Sequence, residues 1–113
     1  MRSNTTLESV IENLDWQIAP EDGAKPLSLA VQQRRRAWVF PWHRFVWAEG
    51  DNSEVQIAFA THLIKISGHG LAALLAALAT QRVVLISQPT ESEATFREAF
   101  AGVNDISVQA FTK

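Results

Sequence analysis

The stretch that decides the predicted fold is His62–Ser87, HLIKISGHGLAALLAALATQRVVLIS, the most apolar and most regularly patterned part of the chain. It begins with the apolar run Leu63–Ile66, which is typical of a strand. Gly68 and Gly70 follow, and paired glycines allow a sharp reversal because glycine accepts positive φ at little steric cost. The pattern therefore predicts a strand, a tight turn, a helix and a second strand in succession.

The predicted helix has leucine on one side and alanine on the other. Its leucines recur at i, i+3, i+4 and i+7, the stripe of an amphipathic helix, at Leu71, Leu74, Leu75 and Leu78. Since no charged face remains, we expect neighbouring elements to cover this helix on more than one side. Val83–Ile86 is a continuous apolar run, which is typical of a strand buried on both faces. We predict a β-α-β crossover over residues 62–87, right-handed if its two strands are parallel.

The composition is that of one globular domain. The chain has 113 residues, of which 47% are hydrophobic and 19% are charged, so we predict a single domain over 1–113. Within it, 1–26 holds an N-terminal helix and a turn-rich linker, and 27–113 holds the core sheet and helices. The net charge of −2 argues against a general affinity of the whole molecule for nucleic acid.

The residue content also bears on the compartment. The chain has no cysteine, which excludes disulfides and thiolate metal sites and fits a reducing compartment. No apolar run follows Arg2, as it would in a secretory signal. The longest apolar run, Leu71–Ala79, is far shorter than the ~20 residues that span a bilayer. We expect a cytoplasmic protein that does not contact a membrane.

The N-terminal part predicts a helix and then a linker. Thr5–Glu8 has the Ser/Thr-x-x-Glu form of a capping box, and apolar residues follow at helical spacing, so we predict a helix over Thr6–Trp16. Ile18–Pro26 is rich in turn residues and contains two prolines. Leu27–Gln33 alternates loosely, and the pattern leaves open whether this segment is a strand.

An aromatic-rich segment follows. Ala37–Trp47 is dominated by aromatic and β-branched residues, which favour a strand. Pro41 cannot donate a ladder hydrogen bond, and the parity of the aromatic residues switches just after it, as a bulge would produce. Glu49–Glu54 is typical of a hairpin turn, and Val55–Phe59 alternates like a half-buried partner strand. We therefore predict an aromatic-rich hairpin over 37–60.

The C-terminal part completes the predicted fold. Thr90–Glu93 is a second capping box, which predicts a helix that ends near Gly102. Ile106–Ala110 alternates like a short last strand. The predicted fold class is α+β: a mixed, mainly antiparallel sheet with the hairpin, the β-α-β unit, and flanking N- and C-terminal helices.

The glycine turn is one candidate site. Gly68–Ala73 matches G-x-G-x-x-A, a dinucleotide-binding pattern, between a predicted strand and a predicted helix. The helix N-terminus would offer N–H groups to a phosphate. However, the motif belongs in a larger doubly wound sheet, and paired glycines in a tight turn are common without any ligand. Binding of a small ligand or a nucleotide phosphate at Gly68, His69 and Gly70 is therefore an alternative hypothesis.

A basic and aromatic stretch is the other candidate. No Asp or Glu occurs between Asp22 and Glu49. Arginines neutralise phosphates and exposed aromatic rings stack on single-stranded bases, but Trp and Arg also anchor protein interfaces, and tryptophans often fill the core of a small domain. The sequence leaves open whether the tryptophans are core or exposed. The candidate interaction surface consists of Arg34, Arg35, Arg36, Trp38, Trp42, Arg44 and Trp47.

No pattern indicates catalysis. His43, His62 and His69 lie on different predicted elements, without metal-binding spacing. Ser67 precedes Gly68 and does not form a Gly-x-Ser-x-Gly elbow. We therefore expect no metal and no cofactor, and the sequence favours a non-enzymatic role while leaving catalysis at the Gly68–Gly70 turn open. We predict a non-enzymatic interaction domain that forms a homo-oligomer or binds a protein partner, with single-stranded nucleic acid at Arg34–Trp47 as a second alternative to the ligand site.

Overall fold

The computed structural model describes residues 15–89 and 102–111, and strands make up 55% of them. The predicted α+β class is therefore wrong: the described part of the chain is mostly β, with one α-helix, α1 (Ala72–Leu78), and a 3-10 turn at Trp42–Arg44. The strands are β1 Trp16–Ile18, β2 Ser28–Gln32, β3 Ala37–Pro41, β4 Phe45–Gly50, β5 Glu54–Phe59, β6 His62–His69, β7 Val83–Ser87 and β8 Gly102–Ala110.

The strands form two four-stranded sheets. Sheet 1 has the order β1-β7-β2-β3, and sheet 2 has the order β4-β5-β6-β8. Sheet 2 is antiparallel throughout, whereas in sheet 1 the β2–β7 pair is parallel. The strand that the sequence left open, over 27–33, is β2, and it lies between β7 and β3.

The predicted β-α-β crossover is wrong, because its two strands lie in different sheets: β6 belongs to sheet 2 and β7 to sheet 1. The reason is length. A seven-residue helix is about 10 Å long, whereas a strand as long as β6 extends over about 26 Å. Such a helix cannot return the chain along β6, but it spans the ~10 Å that separates two packed sheets.

The predicted hairpin over 37–60 is also divided between the sheets. β3 pairs with β2 in sheet 1, and only β4 and β5 form a hairpin, in sheet 2. Where the sequence predicted a bulge after Pro41, the 3-10 turn Trp42–Arg44 carries the chain from one sheet to the other. The bulge of this region lies further on, between Phe45 and Trp47.

Helix α1 is covered on its leucine side. Leu71, Leu74 and Leu78 are buried, whereas Ala72, Ala73 and Ala76 are exposed. The expectation that the helix is covered on more than one side is therefore wrong. Alanine has a small apolar surface, so leaving its side chain exposed to water costs little free energy.

One hydrophobic core lies between the two sheets and under α1. The rings of Phe40 in sheet 1 and Phe59 in sheet 2 stack with centroids 4.9 Å apart. The buried apolar residues of this cluster are Leu29, Val31, Phe40, Trp42, Val55, Ile57, Phe59, Ile64, Ile66, Leu71, Leu74, Leu78, Val83, Ile86, Val103 and Ile106. The alternation that predicted β5 is confirmed by Val55, Ile57 and Phe59. In the last strand Ile106 is buried and Val108 packs against the cluster, whereas Ala110 is exposed.

The two predicted terminal helices lie mainly outside the described residues. The N-terminal one, Thr6–Trp16, reaches them only at its end, where Trp16 begins strand β1 and pairs with β7. The helix predicted after Thr90 lies outside them as well. Gly102, expected to end that helix, is the first residue of β8.

Candidate interaction surface

An apolar stripe crosses the outer face of sheet 2. Residues that point inward on β5 and β6 are buried, and the residues between them point outward. Of the outward apolar residues, Leu63 is half-buried and the small Ala58 is covered, with 2% of its surface exposed. In the outward register Trp47 pairs with Ala58, and Ala58 pairs with Leu63. The N–H of Phe111 donates to the carbonyl of Thr61 at 2.9 Å, which places Phe111 diagonally next to Leu63, within reach of an aromatic ring. We call Trp47, Ala58, Leu63 and Phe111 the outer stripe.

The bulge in β4 turns Trp47 away from the core. Phe45 and Trp47 pair with the consecutive residues Phe59 and Ala58, so Val46 is the extra residue of the bulge. Phe45 packs inward against Phe59, with ring centroids 5.9 Å apart. One extra residue reverses the parity of the side chains that follow. Val46 and Trp47 are consequently both outside, with 58% and 42% of their surface exposed, as Phe111 is with 50%.

Charged groups lie at both ends of β4. Arg44 is exposed in the 3-10 turn at its start, and its carbonyl accepts the N–H of Ala60 at 2.9 Å. At the other end Glu49 and Asp51 are exposed, and they line a shallow depression of about 380 Å³ together with Gly50, Glu54 and Gln56.

The Asp51 carboxylate is engaged in the hairpin turn. Its Oδ1 accepts the backbone N–H of Ser53 at 2.9 Å, the hydroxyl of Ser53 at 3.1 Å and the backbone N–H of Glu54 at 3.0 Å. These donors stabilise the charged form, with the Ser53 backbone contributing most, so the pKa of Asp51 lies below its usual value of 3.8. Asp51 is thus a fixed negative charge at the end of β4.

The predicted basic and aromatic surface is not one continuous patch. Arg34, Arg35 and Arg36 lie in the β2–β3 turn, and Arg44 lies beyond the other end of β3, about 16 Å away at the rise of a five-residue strand. Arg34 donates from Nε to the carbonyl of Pro89 at 3.1 Å. Of this set, the structure brings Arg36 and Trp38 into contact, with the guanidinium 5.5 Å from the ring centroid, and places Arg44 and Trp47 at one end of β4.

The tryptophans serve mainly in packing. Trp42 is 5% exposed and donates from Nε1 to the carbonyl of Val83 at 3.2 Å. Trp38 is half-buried, stacks on Phe40 with centroids 5.9 Å apart, and carries the guanidinium of Arg36 5.5 Å from its ring centroid. Trp16 is half-buried, so Trp47 is the exposed member of the four.

The glycine turn is occupied by the chain itself. The N–H of Gly68 donates to the carbonyl of Ser53 at 3.0 Å, and the N–H of Leu71 donates to the carbonyl of Asn52 at 3.0 Å. Gly70 has φ of +68° and makes the turn into α1. Phosphate binding at Gly68, His69 and Gly70 stays a prediction, and a phosphate there would compete with these bonds to the β4–β5 hairpin.

The histidines do not converge. His43 is exposed in the 3-10 turn, and His62 lies beside the rings of Trp38 and Phe40, with centroids 5.2 and 5.5 Å away. His69 has a buried Nε2 for which the described part of the chain provides no hydrogen-bond partner. In residues 15–89 and 102–111 there is no group of three His, Cys, Asp or Glu that could hold a metal ion.

The sequence identified Trp47 and Arg44 but missed Val46, Leu63 and Phe111. Leu63 looked like part of an apolar run, and its outward direction depends on its pairing with Ala58. The sequence does contain one signal for this direction. The link between β5 and β6 is only two residues long, Ala60 and Thr61, and so short a link fixes which residue of β5 pairs with Leu63.

No protein-family model, no curated protein and no solved structure matches this chain. Within the part of the chain that the structure describes, no helix is long and apolar enough to cross a membrane.

Proposed function

We propose that this chain is a non-enzymatic protein-interaction domain that associates with copies of itself through the outer stripe. The observation that carries the proposal is the exposure of Trp47 and Phe111 on one sheet face, with Val46 beside them. Exposed apolar groups that form a patch are typical of binding surfaces. Here the exposed rings are joined through the half-buried Leu63 and the covered Ala58. Tryptophan is also among the residues that contribute most to interface affinity when it is buried.

The position of the stripe supports contact with another protein chain. It ends at Trp47 on β4, the terminal strand of sheet 2, and a terminal strand offers unpaired backbone groups as well as side chains. The rest of the outer face is polar or charged, with Gln56, Lys65 and Ser107 in the next row. A partner would therefore bury the apolar end of the face and leave this polar row as its rim.

Sedimentation equilibrium at micromolar concentration tests the proposal, with two matched variants. Val46→Lys introduces a charge beside the outer stripe. Val39→Lys makes the same change on β3, the terminal strand of sheet 1, where Val39 is 68% exposed. We expect the average mass of the unmodified chain to rise with concentration, Val46→Lys to remain monomeric, and Val39→Lys to behave like the unmodified chain.

A monomeric unmodified chain over this concentration range would refute self-association. Equal weakening by the two lysine variants would place the contact away from the outer stripe. Thermal unfolding of both variants checks that each is folded, and both positions are exposed, so we expect melting temperatures close to that of the unmodified chain.

A further inference from the structure

We propose that two copies pair antiparallel along β4, about a two-fold axis at Trp47, so that the two copies of sheet 2 form one eight-stranded sheet. This inference rests on the proposed self-association and names its geometry. It follows from three features of β4: an open edge, a self-complementary order of charges, and a bulge that places the charges and Trp47 on one face.

The open edge is the first feature. β5 bonds to one edge of β4 from the carbonyl of Arg44 to the N–H of Asp51, which donates to the carbonyl of Glu54 at 2.8 Å. Among residues 15–89 and 102–111, no strand pairs with the other edge, and α1 is the element besides β5 that lies close to β4. Natural edge strands are commonly protected by Pro, by charged side chains, especially Lys, or by a bulge. β3 ends in Pro41, whereas Phe45–Gly50 contains no Pro, Lys or Arg and has Glu49 and the bulge at Val46 instead.

The order of charges is the second feature. β4 has the basic Arg44 at its start, apolar residues in its middle, and the acidic Glu49 and Asp51 at its end. In an antiparallel pair the start of each strand lies beside the end of the other. Two copies of β4 therefore bring opposite charges together at both ends, which also discriminates against a parallel pairing.

The bulge sets the register. On β5, the partners of Arg44, Trp47 and Glu49 are Ala60, Ala58 and Gln56 in turn. Since these partners are two residues apart, Arg44 and Glu49 lie equally far from Trp47 on either side of it. An axis at Trp47 consequently pairs Arg44 of each copy with Glu49 of the other.

Asp51 is the other acid that Arg44 could meet, with the axis moved to Ala48. The Asp51 carboxylate already accepts three hydrogen bonds in its turn, whereas the Glu49 carboxylate makes no hydrogen bond or ion pair with residues 15–89 or 102–111. Arg44 gains more from a carboxylate that is free to accept a forked hydrogen bond. The axis at Trp47 also places the two indole rings side by side and joins the two outer stripes.

Charge reversal tests the pairing. Arg44→Glu and Glu49→Lys each place like charges at both ends of the pair. We therefore expect each variant alone to associate at least roughly tenfold more weakly than the unmodified chain. A mixture of the two variants restores opposite charges at both ends, and so does the double variant Arg44→Glu/Glu49→Lys. Both should associate about as well as the unmodified chain. Arg35→Glu, the same change at an exposed arginine of the β2–β3 turn, is the control and should associate normally.

Sedimentation equilibrium at low salt measures the unmodified chain and the five variant samples, because salt screens exposed charges. Recovery in the mixture and in the double variant establishes the antiparallel contact. If the single variants associate like the unmodified chain, or if neither combination recovers, the β4 pairing is wrong although self-association stands. If the unmodified chain is monomeric, both the pairing and the proposed function are wrong.

Discussion

The side-chain oxygen of Asn52 accepts the backbone N–H of Ala72 at 3.1 Å, so the tip of the β4–β5 hairpin caps the start of helix α1. The helix has no capping side chain at Leu71 and no acidic residue in its first turn. The carbonyl of Asn52 also accepts the N–H of Leu71. A segment 20 positions away in the chain therefore accepts hydrogen bonds from the free N–H groups at the start of the helix.

Replacing Asn52 tests this cap. Asn52→Ala removes the side-chain acceptor, and we expect the free energy of unfolding to fall by about 1 kcal/mol. Asn52→Asp keeps an acceptor at the same place and adds a negative charge at the helix N-terminus, so it should stay close to the unmodified protein. Urea unfolding of the three proteins measures the difference. An equal loss in both variants would show that the acceptor does not stabilise the helix.

The same contact shows where sequence patterns stop being informative. The periodicity of Leu71, Leu74 and Leu78 predicts a helix and its buried side correctly. It does not show that Asn52 supplies the cap, because that contact depends on how a distant hairpin folds back. For the same reason the sequence predicts β6 and β7 as strands but not that they belong to different sheets.

The sequence likewise predicts part of the candidate interaction surface and not the rest. Composition points to Trp47 and Arg44, which lie on or beside one strand. It also points to Trp42, which is core, since a tryptophan between aromatic residues looks the same in sequence whether it packs inward or outward. The bulge at Val46 decides the direction of Trp47, and only the pairing of β4 with β5 reveals that bulge.

Gly68 is expected to tolerate no side chain. A Cβ there would lie 2.1 Å from the carbonyl oxygen of Gly102 on β8, a backbone atom that cannot move alone. Gly68→Ala should therefore lower the free energy of unfolding by about 2–3 kcal/mol. Gly23→Ala is the control, because a Cβ there would lie 3.7 Å from the carbonyl oxygen of Pro20, an ordinary contact distance. It should change the free energy of unfolding by less than about 0.5 kcal/mol. Denaturant unfolding distinguishes them; similar losses would mean that the β6–β8 approach is not close.

Gln33 links the two sheets through its side chain. Its Oε1 accepts the indole N–H of Trp38 at 2.8 Å, and its Nε2 donates to the carbonyl of Ile106 at 2.8 Å. Gln33→Ala removes both partly buried hydrogen bonds, so we expect a loss of about 2 kcal/mol of unfolding free energy. Gln32→Ala removes one exposed hydrogen bond, to the carbonyl of Gln33, and should be nearly neutral. Thermal or urea unfolding measures both variants. Equal stability of the two alanine variants would show that the Gln33 side chain does not stabilise the contact between the sheets.

Asp51 should make the stability of the hairpin depend on pH. Its pKa is lowered in the folded protein by hydrogen bonds from Ser53 and Glu54 to the charged carboxylate. A carboxyl group with a lowered folded pKa stabilises the protein above its unfolded pKa, and that contribution is lost as pH falls through the folded pKa. The loss therefore begins near the usual value of 3.8 and continues below it.

Asp51→Asn isolates this contribution, since the amide oxygen can still accept hydrogen bonds but cannot titrate. We expect urea unfolding of the unmodified protein to show a steeper loss of stability below pH 4 than the variant shows, because the unfolded carboxyl binds its proton before the folded one does. Glu54→Gln, which changes an exposed neighbouring carboxylate on β5, is the control and should retain the steeper loss. Parallel pH profiles for the unmodified protein and Asp51→Asn would mean that the turn does not favour the charged carboxylate over the protonated one.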